Sequence, residues 1–403
     1  MVVPVVISSG IVLILLVAAG VLVLLSEDVS ERIDIHDVEE IRGLEAKMEV
    51  PVNHMEPSLY DDYIQSGLDR RKRSEILQLE RFYECMLVFD PEWDLIPMIE
   101  NSTSTNVIAF YDTGSKEITM IEGSGSDDYL NYVLSHELTH ALQDQNFDLE
   151  SYCPTGSYDA DMARSCVIEG DAMLTMDLWA RENLGLYEMI KLQGEISMNT
   201  YRSDTYYELE SRNEIISEMG QFPYEDGGEF VREVHSRSGY QGVDDLFTVR
   251  PPLSTEQIIH FDKYIAMEEP DRIEMNLEAL DMEVAFDTTA GEKLITEILP
   301  DLDEKIEELD ENRTGIGWGG DRFVYLENGT DFLSIFAVQW DVPDINDLFH
   351  SGFRYLMFRE GSGFTGNSTI LDGYHMNIYK EGERTYVLRS NDPGVIDMAL
   401  DKL

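Results

Sequence analysis

Five residues, His136-Glu137-Leu138-Thr139-His140, have the types and the spacing for metal chemistry. On a helix, residues four apart lie one turn apart on the same face. His136 and His140 can then reach a single zinc ion. Glu137, on the neighbouring face, can take a proton from a water that the metal activates. The bland alternative is a polar face of an ordinary helix. Against it stands the pattern around the motif: Leu130, Val133, Leu134, Leu138, Ala141 and Leu142 form one apolar stripe, Glu137 falls inside it, and the two histidines border it. Burying a carboxylate without a partner costs at least about 2 kcal/mol, and a pocket holding metal and water removes that cost.

A third ligand has to come from elsewhere in the chain. The stretch from about Asp159 to Asn183 reads as a helix whose positions 162, 166, 169, 173, 176 and 180 share one face. Met162, Cys166, Met173, Met176 and Ala180 are apolar, and Glu169 stands in their midst. Such a carboxylate wants a partner, so Glu169 is expected to be the third metal ligand. The alternative is a buried salt bridge to Arg164 or Arg181. Asp171 falls on the opposite face and is expected to be solvated or to face a loop. Hydrolysis of an amide also creates an oxyanion that a Tyr or His donor can stabilise. Tyr224, His235 and His260 are candidates, although each of these residue types is more often an ordinary structural polar residue.

Several elements must position these residues. Gly123-Ser124-Gly125-Ser126 loosens the chain, after which Asp127 or Asp128 can cap the motif helix. Before it, 107–111 and 118–121 alternate with period two around Asp112-Thr113-Gly114-Ser115, which predicts a hairpin. One edge of that hairpin could pair with an extended peptide, or the hairpin could simply support the helix. Upstream, helices are expected over Val38–Met48, Pro57–Leu68 and Arg70–Leu87. Residues 185–235 read as helical again, interrupted at Phe222-Pro223-Tyr224. Pro300 divides 292–309 into two helical pieces. From Thr314 a β-β-α-β-β-α unit is expected, with strands at Phe323–Leu326, Phe332–Gln339, Ile370–Tyr379 and Glu383–Arg389.

Composition narrows the function classes. The chain has 403 residues, 80 Asp and Glu against 29 Lys and Arg, and a net charge of −51. The acid is spread along the chain and Arg outnumbers Lys, a balance like that of halophilic proteins adapted to high salt. Such a field repels phosphates and argues against nucleic-acid binding. Three cysteines, Cys85, Cys153 and Cys166, make no complete disulfide framework, although Cys153 and Cys166 could pair. Residues 2–25 carry no charge and have the length of a membrane-spanning helix. A transmembrane anchor over residues 1–25 is therefore expected, with a cleaved signal peptide as the competitor. The acidic flank Ser26-Glu27-Asp28 and the acceptor triplets at Asn101, Asn312, Asn328 and Asn367 favour an extracellular bulk.

His136-Glu137-Leu138-Thr139-His140-Ala141-Leu142-Gln143-Asp144-Gln145, followed by Glu169-Gly170-Asp171-Ala172, resembles the gluzincin branch of HExxH zinc metallopeptidases. The wider chain is similar to a largely uncharacterised microbial, membrane-anchored group of HExxH proteins, through 107–111, 223–227, 252–257 with His260, and 317–322. The resemblance implies that His136, His140 and Glu169 hold Zn2+ and that Glu137 is the general base. Four residues after Glu169 stands Met173, so the acidic residue usual there in that branch has no counterpart. The expected fold class is α+β: the anchor (1–25), a mainly helical zincin-like domain with a small β-hairpin or sheet (26–275), and a C-terminal α+β domain (276–403). The expected function is that of a single-pass, outward-facing zinc endopeptidase of the cell membrane acting on a peptide or protein substrate. The alternatives are a non-catalytic zincin-fold surface binding or scaffold protein, and a zinc hydrolase of a non-peptide substrate.

Overall fold

The computed structural model describes residues 33–67, 70–88, 95–96, 107–123, 125–153, 155–207, 213–309 and 317–402. They form an α+β protein with two sheets. Helix α1 (Ile35–Arg42) opens on a reciprocal cap between Asp34 and Asp37, and Gly43 ends it in the left-handed region, short of the span expected from sequence. Strand β1 (Val52–Met55) follows, then α2 (Pro57–Gly67) and α3 (Arg70–Cys85). The hairpin is present as β2 (Ala109–Asp112) and β3 (Glu117–Ile121). β1 adds to it in parallel, giving the order β1-β3-β2.

The motif helix α4 (Asp127–Phe147) starts from Ser126, whose hydroxyl donates to Glu195, rather than from an aspartate cap. Asp127 and Asp128 occupy its first turn, where they complement the helix dipole. Next come α5 (Tyr158–Asn183), α6 (Leu186–Tyr207), α7 (Asn213–Gln221) and α8 (Glu225–Phe247), the last broken at Gly239. The short helices α9 (Thr255–Ile259) and α10 (Phe261–Ala266) lead to β4 (Glu283–Thr288). Helices α11 (Gly291–Ile298) and α12 (Pro300–Leu309) meet at Pro300, as the sequence predicts.

The chain then runs through β5 (Trp318–Glu327), β6 (Phe332–Trp340), α13 (Pro343–Glu360), β7 (Ser362–Thr365), β8 (Ser368–Leu371), β9 (Tyr374–Glu381), β10 (Arg384–Ser390) and α14 (Pro393–Leu400). The strands build one antiparallel sheet in the order β4-β5-β6-β10-β9-β8-β7. The strand expected over Ile370–Tyr379 is split in two. Asp372 and Gly373 both have positive φ and turn the chain back as a tight hairpin.

Two apolar clusters hold the site in place. One joins the seven-stranded sheet to the helices: Phe82 of α3 lies 4.9 Å, edge-on, from Phe323 of β5 and 5.3 Å from Tyr158 of α5. The other fills the space between α1, the three-stranded sheet, α4 and α5, with Val38, Ile118, Met120, Leu134, Leu138 and Trp179. The motif helix is thus wedged between a sheet and a second helix.

Among the described residues no helix is long and apolar enough to cross a membrane. That finding corrects the expectation of an N-terminal transmembrane helix and of a single-pass membrane protein with an extracellular bulk, and neither is carried further. The apolar run itself, 2–25, lies outside the described residues.

Candidate metal centre

The middle of α4 is buried on every face, because the sheet covers one side and α5 the other. His136, Glu137 and His140 are 9, 8 and 5% exposed, and Glu169, delivered by the middle of α5, is 1% exposed. Three side-chain atoms converge. His136 Nε2 lies 3.1 Å from Glu169 Oε2 and 2.9 Å from His140 Nε2, and His140 Nε2 lies 3.4 Å from Glu169 Oε2. Ligands at about 2.0–2.1 Å from a tetrahedral zinc stand about 3.3 Å apart, so this spacing is that of a metal-ligand set. His136 Nδ1 and Glu169 Oε1 are buried and make no hydrogen bond. Buried polar atoms are rarely left so; a cation at the convergence point would account for Glu169 Oε1, though not for His136 Nδ1, which lies across the ring from Nε2. The donor set of two imidazoles and a carboxylate suits zinc.

The electrostatics also call for positive charge. Burial alone would raise the Glu169 carboxyl, but His140 and His136 beside it hold it down at about 2. Burial would lower the His140 imidazole, yet Glu169 pushes it up to about 9. A proton on the histidine thus balances the carboxylate, in the place where a metal would do the same. Glu137 behaves differently. Desolvation raises it, and the attraction of His136 and His140 offsets this only in part. The Tyr111 backbone N–H of β2 faces its carboxylate and favours the charged form.

Of the three oxyanion donors weighed from sequence, the structure brings Tyr224 to the site. Its ring stacks near His136, with centroids 6.2 Å apart, and its hydroxyl sits in the field of Glu169 and Glu137. Tyr224 is carried there by the start of α8. That helix crosses α5 so closely that a Cβ on Gly170 would run into the Gly227 carbonyl, and one on Gly227 would lie 2.6 Å from the Cys166 carbonyl oxygen. His235 instead packs its ring on Tyr240 at 4.6 Å, and His260 lies 3.2 Å from Glu292.

Two residues around the site, Gln143 and Arg42, carry no sequence signal for it, and a third, Asp171, lies elsewhere than expected. Gln143 hydrogen-bonds His140 Nδ1. Asp171, expected to be solvated, is fully buried and paired with Arg42 of α1. The expectation fails because α5 has no wet face at this level. Cys153 and Cys166 are both buried free thiols, so the possible disulfide between them is not formed. A second carboxylate group, Glu256, Glu268 and Asp341, closes around Lys263, whose Nζ lies 2.5, 2.9 and 2.8 Å from them; the ammonium takes the place a cation would fill.

Compared with models of protein families, with curated proteins and with solved structures, the chain matches none. The resemblance to gluzincins therefore rests on the motif residues alone.

Proposed function

We propose that this protein is a zinc-dependent metallopeptidase, with His136, His140 and Glu169 as metal ligands and Glu137 as general base. When bound there, zinc supplies Lewis acidity, polarising a carbonyl and making water acidic near neutral pH. Glu137 takes the proton from the attacking water and returns it to the departing amine. Tyr224 donates its hydroxyl to the oxygen that gains charge.

The observation that carries this reading is Glu137. It is buried beside two convergent imidazoles, with desolvation raising its affinity for a proton. A purely structural zinc site needs the ligands but has no use for such a base. A peptide is favoured over other amide or ester substrates by β2. Among the described residues β2 pairs with β3 alone, and the Tyr111 N–H on its other side points at Glu137. An extended chain pairing with that edge would lie along the carboxylate.

The purified protein should contain one zinc and cleave an unfolded protein in high salt, while Glu137→Gln should keep the zinc and lose the cleavage. A wild type that binds zinc tightly but cleaves neither peptides nor proteins would instead support the binding-protein alternative.

A further inference from the structure

Gln143, Asp171 and Arg42 take no part in the proposed chemistry, yet all three are fully buried. Polar groups at such depth have specific partners. The partners of Gln143 fix which way its amide points. Its Nε2 lies 2.9 Å from the Ile168 carbonyl oxygen and 2.9 Å from Asp171 Oδ2. A carbonyl and a carboxylate only accept, so the nitrogen must face them and Oε1 must face away. That Oε1 lies 2.9 Å from His140 Nδ1 and has no hydrogen to give. His140 therefore carries a proton on Nδ1, and the lone pair of its neutral form falls on Nε2, the atom that converges with His136 and Glu169.

Asp171 is held in turn. Arg42 Nε donates to its Oδ2 at 2.8 Å, and Arg42 Nη2 lies 2.8 Å from Asp244 Oδ1 on α8. The guanidinium also sits over the Tyr240 ring at 4.7 Å. One buried relay thus runs from α1 through α5 to the imidazole on α4.

We propose that Arg42 and Asp171 are positioning residues for the metal: acting through Gln143, they lock the His140 tautomer and make α1 a determinant of zinc affinity. The proposal rests on the metal reading above and goes beyond it by giving α1 a share in the site. It does not require the chain to be a peptidase, since a binding protein with the same ligands would need the same relay.

The test compares the full chain with Gln143→Leu, Arg42→Met and the double variant. Zinc affinity is read by competition with a fluorescent chelator, and the His140 tautomer by 15N NMR of the imidazoles in the metal-free protein at a pH above about 9, where the ring is neutral. Gln143→Leu keeps the Arg42–Asp171 pair, so it carries the test even where Arg42→Met folds poorly. The expected result is an Nδ1–H tautomer in the wild type that is lost in Gln143→Leu, with zinc affinity lower by about 10–100-fold. The double variant should bind no more weakly than the worse single one, because both cut the same relay. Folded Gln143→Leu that binds zinc within about threefold of wild type overturns the proposal and leaves the metal reading standing. A wild type that binds no zinc overturns both.

Discussion

A single proton would decide the chemistry proposed for Glu137. Its carboxylate must be charged to accept that proton, and both histidines beside it favour the charge that burial opposes. Replacing it with Gln keeps the shape and removes the base. We expect kcat to fall by about 10²–10⁴-fold with zinc content unchanged, measured by steady-state cleavage together with metal analysis. Tyr224→Phe removes only a donor. The expected loss in kcat is on the order of 10²-fold, with zinc affinity held; weaker zinc binding without a kcat effect would assign the phenol to Glu169 instead. At this scale the sequence was most legible where helical period alone brings residues together. His136 and His140 share one face of α4, and Glu169 interrupts an apolar face of α5. It was least legible where contacts bridge long separations. Arg42 stands 129 positions from Asp171, and no local pattern links them. Asp171 was misread because the helix-face argument assumes one wet side, while α5 buries Asp159, Asp161, Glu169 and Asp171 alike.

Among the elements, the crossing of α5 and α8 sets the distance between Tyr224 and the ligands. Two glycines, Gly170 and Gly227, let the backbones touch there. Gly170→Ala would have to push the helices apart. The expected cost is about 1–3 kcal/mol or more in stability, measured by urea unfolding, with cleavage falling further than the fraction unfolded explains. A change of under about 0.5 kcal/mol would mean the crossing yields easily and does not position the tyrosine. The long helices were readable from periodicity and the Pro300 division from proline chemistry. β1 escaped notice because four residues, Val-Asn-His-Met, are too few to show a period and gain their place only by pairing with β3. The Asp372-Gly373 turn did carry a local signal, the dipeptide that a two-residue hairpin favours, inside what looked like one strand.

For the whole molecule, 80 acidic residues against 29 basic ones make self-repulsion a standing cost. Raising salt from about 0.1 M to about 1 M shortens the screening length from about 10 Å to about 3 Å. The melting temperature should then rise by several degrees in calorimetry, and a flat response would mean the surface charges are already neutralised by bound cations. Zinc should add to this independently. At a free concentration about 100 times its Kd it stabilises by about 2.7 kcal/mol, so a chelator should lower the melting temperature and added zinc restore it. The helix that bears Glu169 also has its first turn fastened outside the metal-binding part. Tyr158 N–H donates to Thr288 Oγ1, Asp159 N–H to the Thr289 carbonyl, and the Asp159 carboxylate takes both the N–H and the hydroxyl of Thr255. The C-terminal sheet is therefore a foundation for the candidate metal centre rather than cargo attached to it. A fragment cut away before β4 would lose the Thr288 and Thr289 bonds to the helix that bears Glu169, along with the Phe323 seat of Phe82, so the motif cannot be trimmed out of this protein and transplanted.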